Sequence, residues 1–169
     1  MKYIAALAMA LSLAACSNTV GTSANESVSG YSGKRVVSID PHGVDCSAMV
    51  CPMIGAQWRE ESPDQAVMII GVANAYEGIT GATFMIDGKE YVVDDKISVT
   101  DFDNLGAYRT SRAGFQVPLA LINEITTANR AWLRLSTPSG YIEERIVDAD
   151  GDSKAYHALK RFMAKVQGN

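Results

Sequence analysis

Thr83-Phe84-Met85-Ile86-Asp87-Gly88-Lys89-Glu90-Tyr91-Val92-Val93 decides the fold class. Two runs rich in β-branched and aromatic residues flank Asp87-Gly88-Lys89, and an Asp-Gly pair in that setting is a strong hairpin signal. A hairpin makes its strands antiparallel. The same reading holds further out. Residues 132–136 and 141–147 bracket Pro138-Ser139-Gly140 and form a second hairpin candidate. Upstream, residues 36–39 read as a short strand that ends at the turn signal Asp40-Pro41. Residues 52–58 read as a strand, 60–64 as a turn, and 66–73 as a nearly continuous apolar run of the kind expected in a central buried strand. Residues 96–100 and 106–117 read as extended, with Gly114 as a bulge or bend.

Two helices complete the pattern. Pro118 suits the first helical position, where its missing N–H is no loss. Leu119, Ile122 and Ile125, supported by Leu121 and Ala128, then form one apolar face, and Asn129 ends the helix. The last helix runs over 153–166, with Tyr156, Leu159, Phe162, Met163 and Val166 on one side and Lys154, His157, Lys160, Arg161 and Lys165 mostly opposite. Asp152 or Ser153 caps its start. The expected fold is α+β: a curved antiparallel β-sheet or small sandwich with two packed helices, the second C-terminal. Residues 35–169 make a single domain without internal repeats.

The amino terminus sets the context. Lys2 precedes an uncharged run, Ile4-Ala-Ala-Leu-Ala-Met-Ala-Leu-Ser-Leu13. This run falls short of the about 20 apolar residues a helix needs to span a bilayer. It fits the apolar region of a signal peptide, residues 1–15. Leu13-Ala14-Ala15-Cys16 resembles the lipobox of bacterial lipoproteins. That resemblance implies diacylglycerol on the Cys16 sulfur, cleavage before Cys16, and acylation of the new amino terminus by a chain such as palmitate. Two or more acyl chains anchor a protein stably where one does not. The plainer reading is an ordinary secretory signal with an incidental cysteine. Residues 16–34 are mostly Ser, Thr, Asn and Gly, and read as the lipidated cysteine and a flexible tether of about 20 to 25 Å. Ser17 stands where Asp would signal inner-membrane retention, so the resemblance implies the periplasmic face of the outer membrane.

Charge and cysteine usage narrow the partners. The chain carries 15 Lys and Arg against 19 Asp and Glu, a formal net charge of −4. Removal of Lys2 with the signal makes the mature chain one unit more negative. Nucleic-acid binding needs a basic patch and is excluded as an expectation. With Cys16 committed to lipid, Cys46 and Cys51 remain. In an oxidising compartment this pair reads as a structural disulfide.

No stretch names a reaction. His42, beside Asp40, Asp45 and Cys46, superficially resembles a metal cluster, but zinc sites require three or four suitable donors and a disulfide sulfur is not one of them. Asp148-Ala149-Asp150-Gly151-Asp152 alternates carboxylates like a calcium loop, yet its glycine is fourth and Leu159 occupies the twelfth position, against the EF-hand pattern. The competing reading is a turn plus helix cap. Asp94-Asp95 and Asp101-Phe102-Asp103 add carboxylates without a fixed geometry. Nucleophile elbows, Ser-x-x-Lys sites and phosphate loops do not occur where they would be needed. Trp58, Trp132, most tyrosines and Met53 fall where a sheet core would consume them. Tyr76, Tyr108, Arg109 and Arg112 fall in loops or edges and are the candidate partner surface, since exposed aromatic and Arg residues are favoured at interfaces.

Beyond the lipobox, Cys46…Cys51-Pro-Met-Ile-Gly-Ala-Gln-Trp58, Phe84-Met-Ile-Asp-Gly88, Phe115-Gln-Val-Pro118 and the final amphipathic helix resemble uncharacterised proteobacterial envelope lipoproteins. The expectation is a lipid-anchored, non-enzymatic periplasmic domain that binds another envelope protein, as an assembly accessory or an immunity-type inhibitor. It has no catalytic residue, metal or cofactor. The alternatives are a hydrolase or lipid- or glycan-processing enzyme with dispersed catalytic residues, and a small-ligand or metal-responsive module.

Overall fold

The computed structural model of the protein describes residues 21–105 and 108–168, and only the backbone course of residues 104, 105 and 108. Cys16, the signal segment 1–15 and the first part of the tether lie outside the described residues. The elements follow in the order β1 (Asn25–Val28), β2 (Arg35–Gly43), β3 (Cys51–Arg59), β4 (Gln65–Ala73), β5 (Gly81–Ile86), β6 (Lys89–Val93), β7 (Asp101–Leu105), β8 (Tyr108–Pro118), α1 (Leu119–Thr127), β9 (Ala131–Thr137), β10 (Gly140–Asp148), β11 (Gly151–Asp152) and α2 (Lys154–Val166). One sheet has the order β1-β2-β3-β4-β8-β7 and the other β11-β10-β9-β5-β6. All pairings are antiparallel. The fold is α+β, a curled antiparallel half-barrel with two helices, the second C-terminal.

One core joins these layers. Ile54, Met68, Ile70 and Phe115 come from the six-stranded sheet, and Phe84, Leu133, Leu135 and Ile146 from the other. Ile122 and Ile125 of α1 and Leu159 and Phe162 of α2 complete it, all with essentially no exposure. Isolated bridges between Asp45 and Arg145 and between Lys96 and Phe115 tie loop segments to β10 and β8.

The two hairpins form as their turns dictate. Asp87 and Gly88 take φ values of 45° and 87°, and Ile86 pairs with Lys89. Two successive positive φ values give the turn whose twist matches flanking strands. Pro138 and Ser139 close the second hairpin, with Thr137 opposite Gly140. Ser153 caps α2, its Oγ accepting from the Tyr156 N–H at 3.2 Å. Pro118 stands one residue earlier than expected, as the cap of α1 with an extended ψ of 135°.

Four local readings change in the fold. Asp40-Pro41 does not end β2. Ile39 pairs with Ala56 and His42 with Ile54, so one extra residue of β2 is absorbed in a bulge, where a proline lacking an N–H is tolerated. Gly55 lies opposite, and a Cβ there would stand 2.6 Å from the Ile39 carbonyl oxygen and 2.7 Å from the Pro41 nitrogen. The apolar run of β4 is not buried equally on both faces: Ala66, Met68, Ile70 and Val72 enter the core, while Val67 and Ile69 are half-buried on the outer face. Residues 96–100 form no strand beyond the Lys96 bridge. They lie across that outer face, with the Ile97 N–H donating to the Gly114 carbonyl at 3.0 Å and the Gly114 N–H to Ser98 Oγ at 2.8 Å. The strand sits just after them, as β7. Finally, the stretch read as tether contains β1, and Thr22 is fully buried. Glu26 of β1 pairs with Arg35 at 3.1 Å, so ordered structure begins before residue 35.

Candidate functional site

Both helices pack on the core side of the half-barrel, and among the described residues no element covers the outer face of the five-stranded sheet. Its composition follows from strand alternation. In Trp132-Leu133-Arg134-Leu135, the two leucines are fully buried, so Trp132 and Arg134 must point outward together. The register then builds a grid. Glu90, Met85, Trp132 and Arg145 form one cross-strand row, and Val92, Thr83, Arg134 and Glu143 form the next. Tyr141 stands opposite Ser136 beyond them. Tyr141 is 66% exposed and Val92 63%, against zero for Leu133 beneath. Thr83, Met85, Trp132 and Arg134 border a shallow groove of about 200 Å³.

Trp132 and Arg134 on this face are tied to polar neighbours. The Trp132 indole N–H donates to Asp148 Oδ2 at 2.9 Å, and the same oxygen accepts from Arg130 Nε at 2.9 Å. The indole bond, the Arg130 bond and the Ala149 N–H together pull the Asp148 carboxyl down to about 2. Arg130 lies 5.6 Å from the Trp132 ring centroid, and Arg134 lies 5.2 Å from that of Tyr141. Arg134 also pairs closely with Glu143, chiefly through a side-chain hydrogen bond that raises its pKa further. Preset aromatic and guanidinium groups lose little conformational freedom on binding, which favours association. Chemically, the face can offer flat apolar contact, cation–π contact and charged rim groups.

No protein-family model, curated protein or solved structure matches this chain.

The residues singled out in sequence distribute as follows. Tyr76 and Arg109 meet, with the Arg109 guanidinium 5.5 Å from the Tyr76 ring, and Phe102 packs edge-on against Tyr76 at 6.0 Å. Arg112 faces the other side of β8, three positions on, and pairs with Asp101 at 3.6 Å and Asp103 at 3.5 Å. The Tyr108 side chain lies outside the described residues. Arg112 therefore stands apart from the Tyr76–Arg109 pair. Trp58 is buried as expected, but Trp132 and Met53 are only half-buried and face outward. The signal was present: Trp132 shares its parity with Arg134, not with the leucines.

Cys46 and Cys51 form the expected disulfide. A feature not legible in sequence holds its loop. Glu144 sits at a core-facing position of β10, is 7% exposed, and accepts from the Ser47 N–H at 3.2 Å and Ser47 Oγ at 3.0 Å. Its neighbour Arg145 binds Asp45 closely from the opposite face. His42 is half-buried in β2, and its pKa is lowered, first by burial and then by Lys154, against a smaller opposing effect of Asp40. His157 pairs with Asp152 at 2.9 Å beside the α2 cap. Asp148 is engaged by Trp132 and Arg130, and the 148–152 run is a tight hairpin in which Gly151 and Asp152 pair back onto β10, leading into the Ser153 cap of α2. Among the described residues, no three His, Cys, Asp or Glu side chains converge as metal ligands.

Proposed function

We propose that this is a lipid-anchored envelope protein whose exported domain binds another envelope protein through the outer face of the five-stranded sheet, without catalysing a reaction. The observation that carries this reading is the open grid of Trp132, Met85, Val92, Tyr141 and Arg134 on a rigid sheet. Trp, Tyr, Met and Arg are the residues enriched at protein interfaces, and the first two and Arg dominate binding hot spots. Anchoring at Cys16 rests on Leu13-Ala14-Ala15-Cys16, and the Cys46–Cys51 bridge suits the oxidising space outside the cytosol. The lipid places the domain at a membrane surface, on the periplasmic side of the outer membrane, and the open face recruits the partner there.

Two measurements test the two halves of the proposal. A photo-crosslinking residue at Tyr141 should give a discrete adduct in intact cells, whereas the same residue at the exposed Arg161 of α2 should not. Trp132→Ala should abolish the Tyr141 adduct while the domain stays folded. Equal labelling from both positions, or indifference to Trp132→Ala, refutes the face. Separately, labelled palmitate should enter the wild-type chain and not Cys16→Ser, and incorporation into both refutes the anchor.

A further inference from the structure

Among the described residues, the five-stranded sheet ends at β6, whose outer edge pairs with no strand, and that edge specifies part of its partner. Resting on the reading above, we infer that the partner protein contributes an extended segment that adds to β6 as a sixth strand, with basic side chains on its outer face and apolar side chains on its inner face.

The backbone comes first. In a hairpin closed by a two-residue turn, Ile86 and Lys89 exchange both hydrogen bonds, and bonded pairs then alternate along the ladder. Tyr91 and Val93 therefore bond to β5, while the N–H and C=O of Glu90 and Val92 point away from it. Among the described residues no strand lies on that side, because β6 ends the sheet order. An exposed row of such groups is a template for strand addition, and main-chain bonds supply affinity in this mode of recognition.

The side chains define the occupant. Beside the free edge runs a groove of about 530 Å³ between β6, the end of β8 and α1. Val93, Val117 and Leu121 are buried in its floor, and Ala120 borders it. An added strand would direct alternate side chains toward this floor, where apolar residues fit. A cation does not fit on the inner side, because Lys89 already lies 4.4 Å from the Tyr91 ring centroid and Glu124 is taken up by the Tyr91 hydroxyl. On the outer side the charge is reversed. Glu90 shares that face with Val92, Asp94 continues the alternation, and both carboxylates are exposed. Asp95 adds a further negative charge at the groove. Among the described residues, no Lys or Arg lines the groove itself. Complementary charge there selects the partner and repels acidic segments.

The test uses the full-length lipidated protein in detergent and a fluorescent heptapeptide, acetyl-Lys-Val-Lys-Val-Lys-Thr-Lys, with a Glu-for-Lys counterpart as control. The lysine peptide should bind about tenfold or more tightly than the control. Val92→Pro removes an N–H that the β5 ladder does not use, so a fold with unchanged melting is expected, and it should weaken the lysine peptide about tenfold by losing a backbone bond. Should Val92→Pro melt early, Glu90→Lys with Asp94→Lys serves instead and should reverse the preference between the two peptides. Equal binding of both peptides, no binding of the lysine peptide, or full binding by folded Val92→Pro overturns the inference. So does a wild-type homodimer that Val92→Pro dissolves, since a second copy would then own the edge. If these failures occur while the Tyr141 adduct persists, only the edge assignment falls. Loss of the adduct from the wild-type protein brings down the face reading from which it starts.

Discussion

Gly55→Ala should be among the most damaging single-methyl changes in this domain. A Cβ at position 55 would meet the Ile39 carbonyl oxygen at 2.6 Å, the Pro41 nitrogen at 2.7 Å and the Asp40 carbonyl carbon at 2.9 Å. All three are backbone atoms of the β2 bulge, so no side chain can rotate away. Either β2 must separate from β3 or the bulge must be rebuilt, and β3 is a central strand of the sheet. Overpacking a core costs 1–3 kcal/mol as a rule, and a contact made only with backbone belongs at the upper end, about 3 kcal/mol. For a domain of this size each kcal/mol moves the midpoint by about 2 to 4 °C, so melting should fall by about 6 to 12 °C. Urea unfolding followed by circular dichroism, with calorimetry as a second probe, measures both quantities. Gly30→Ala is the internal control, since nothing lies within 4 Å of a Cβ there, and it should stay within about 0.5 kcal/mol of wild type. If Gly55→Ala is as mild as Gly30→Ala, the close approach of β2 and β3 at the bulge is wrong.

Further outcomes follow from other contacts. Replacing Cys46 and Cys51 together by Ser should cost about 2 kcal/mol, the chain-entropy value for so short a loop, and an unchanged urea midpoint would contradict a stabilising role for the bridge. Ser153→Ala removes the α2 cap and should cost about 1 kcal/mol, whereas Ser153→Asp should restore most of it. Asp148 has a carboxyl pKa depressed to about 2 in the folded chain. Its contribution is therefore present above pH 4 and is lost as pH falls through about 2. The Trp132 indole N–H resonance should shift over that interval, and in Asp148→Asn it should not; a wild-type shift centred near pH 4 would contradict the pairing. His42 gives the opposite sign to a histidine with an acidic partner: because its pKa is lowered, the unfolded chain takes up a proton first, and stability should decline as pH falls below about 6.5. His42→Gln should flatten that part of the pH–stability profile.

Strand alternation, turn chemistry and helix periodicity are local properties, and they carried the architecture. Asp87-Gly88 closes a hairpin because only that kind of residue pair accepts two positive φ values readily. Ser153 and the spacing of Leu159, Phe162 and Met163 made α2, and the proximity of Cys46 and Cys51 in the chain made their disulfide the simplest pairing. The open face was also legible in part, since Trp132 alternates with two leucines and must follow Arg134 to the opposite side. Other features depend on which strands become neighbours, and sequence does not encode that in any single stretch. Asp40-Pro41 reads as a stop until Gly55 is seen to make room for a bulge opposite it. Glu144 is buried with Ser47 of the disulfide loop, 97 positions away, as its partner, a pairing no local stretch announces. Nothing near β6 says that, among the described residues, its far edge meets no strand or that α1 borders it; only the packing of β8 and α1 creates that groove. Short-range steric and hydrogen-bond preferences set the elements, whereas long-range pairing decides which faces and edges are left uncovered.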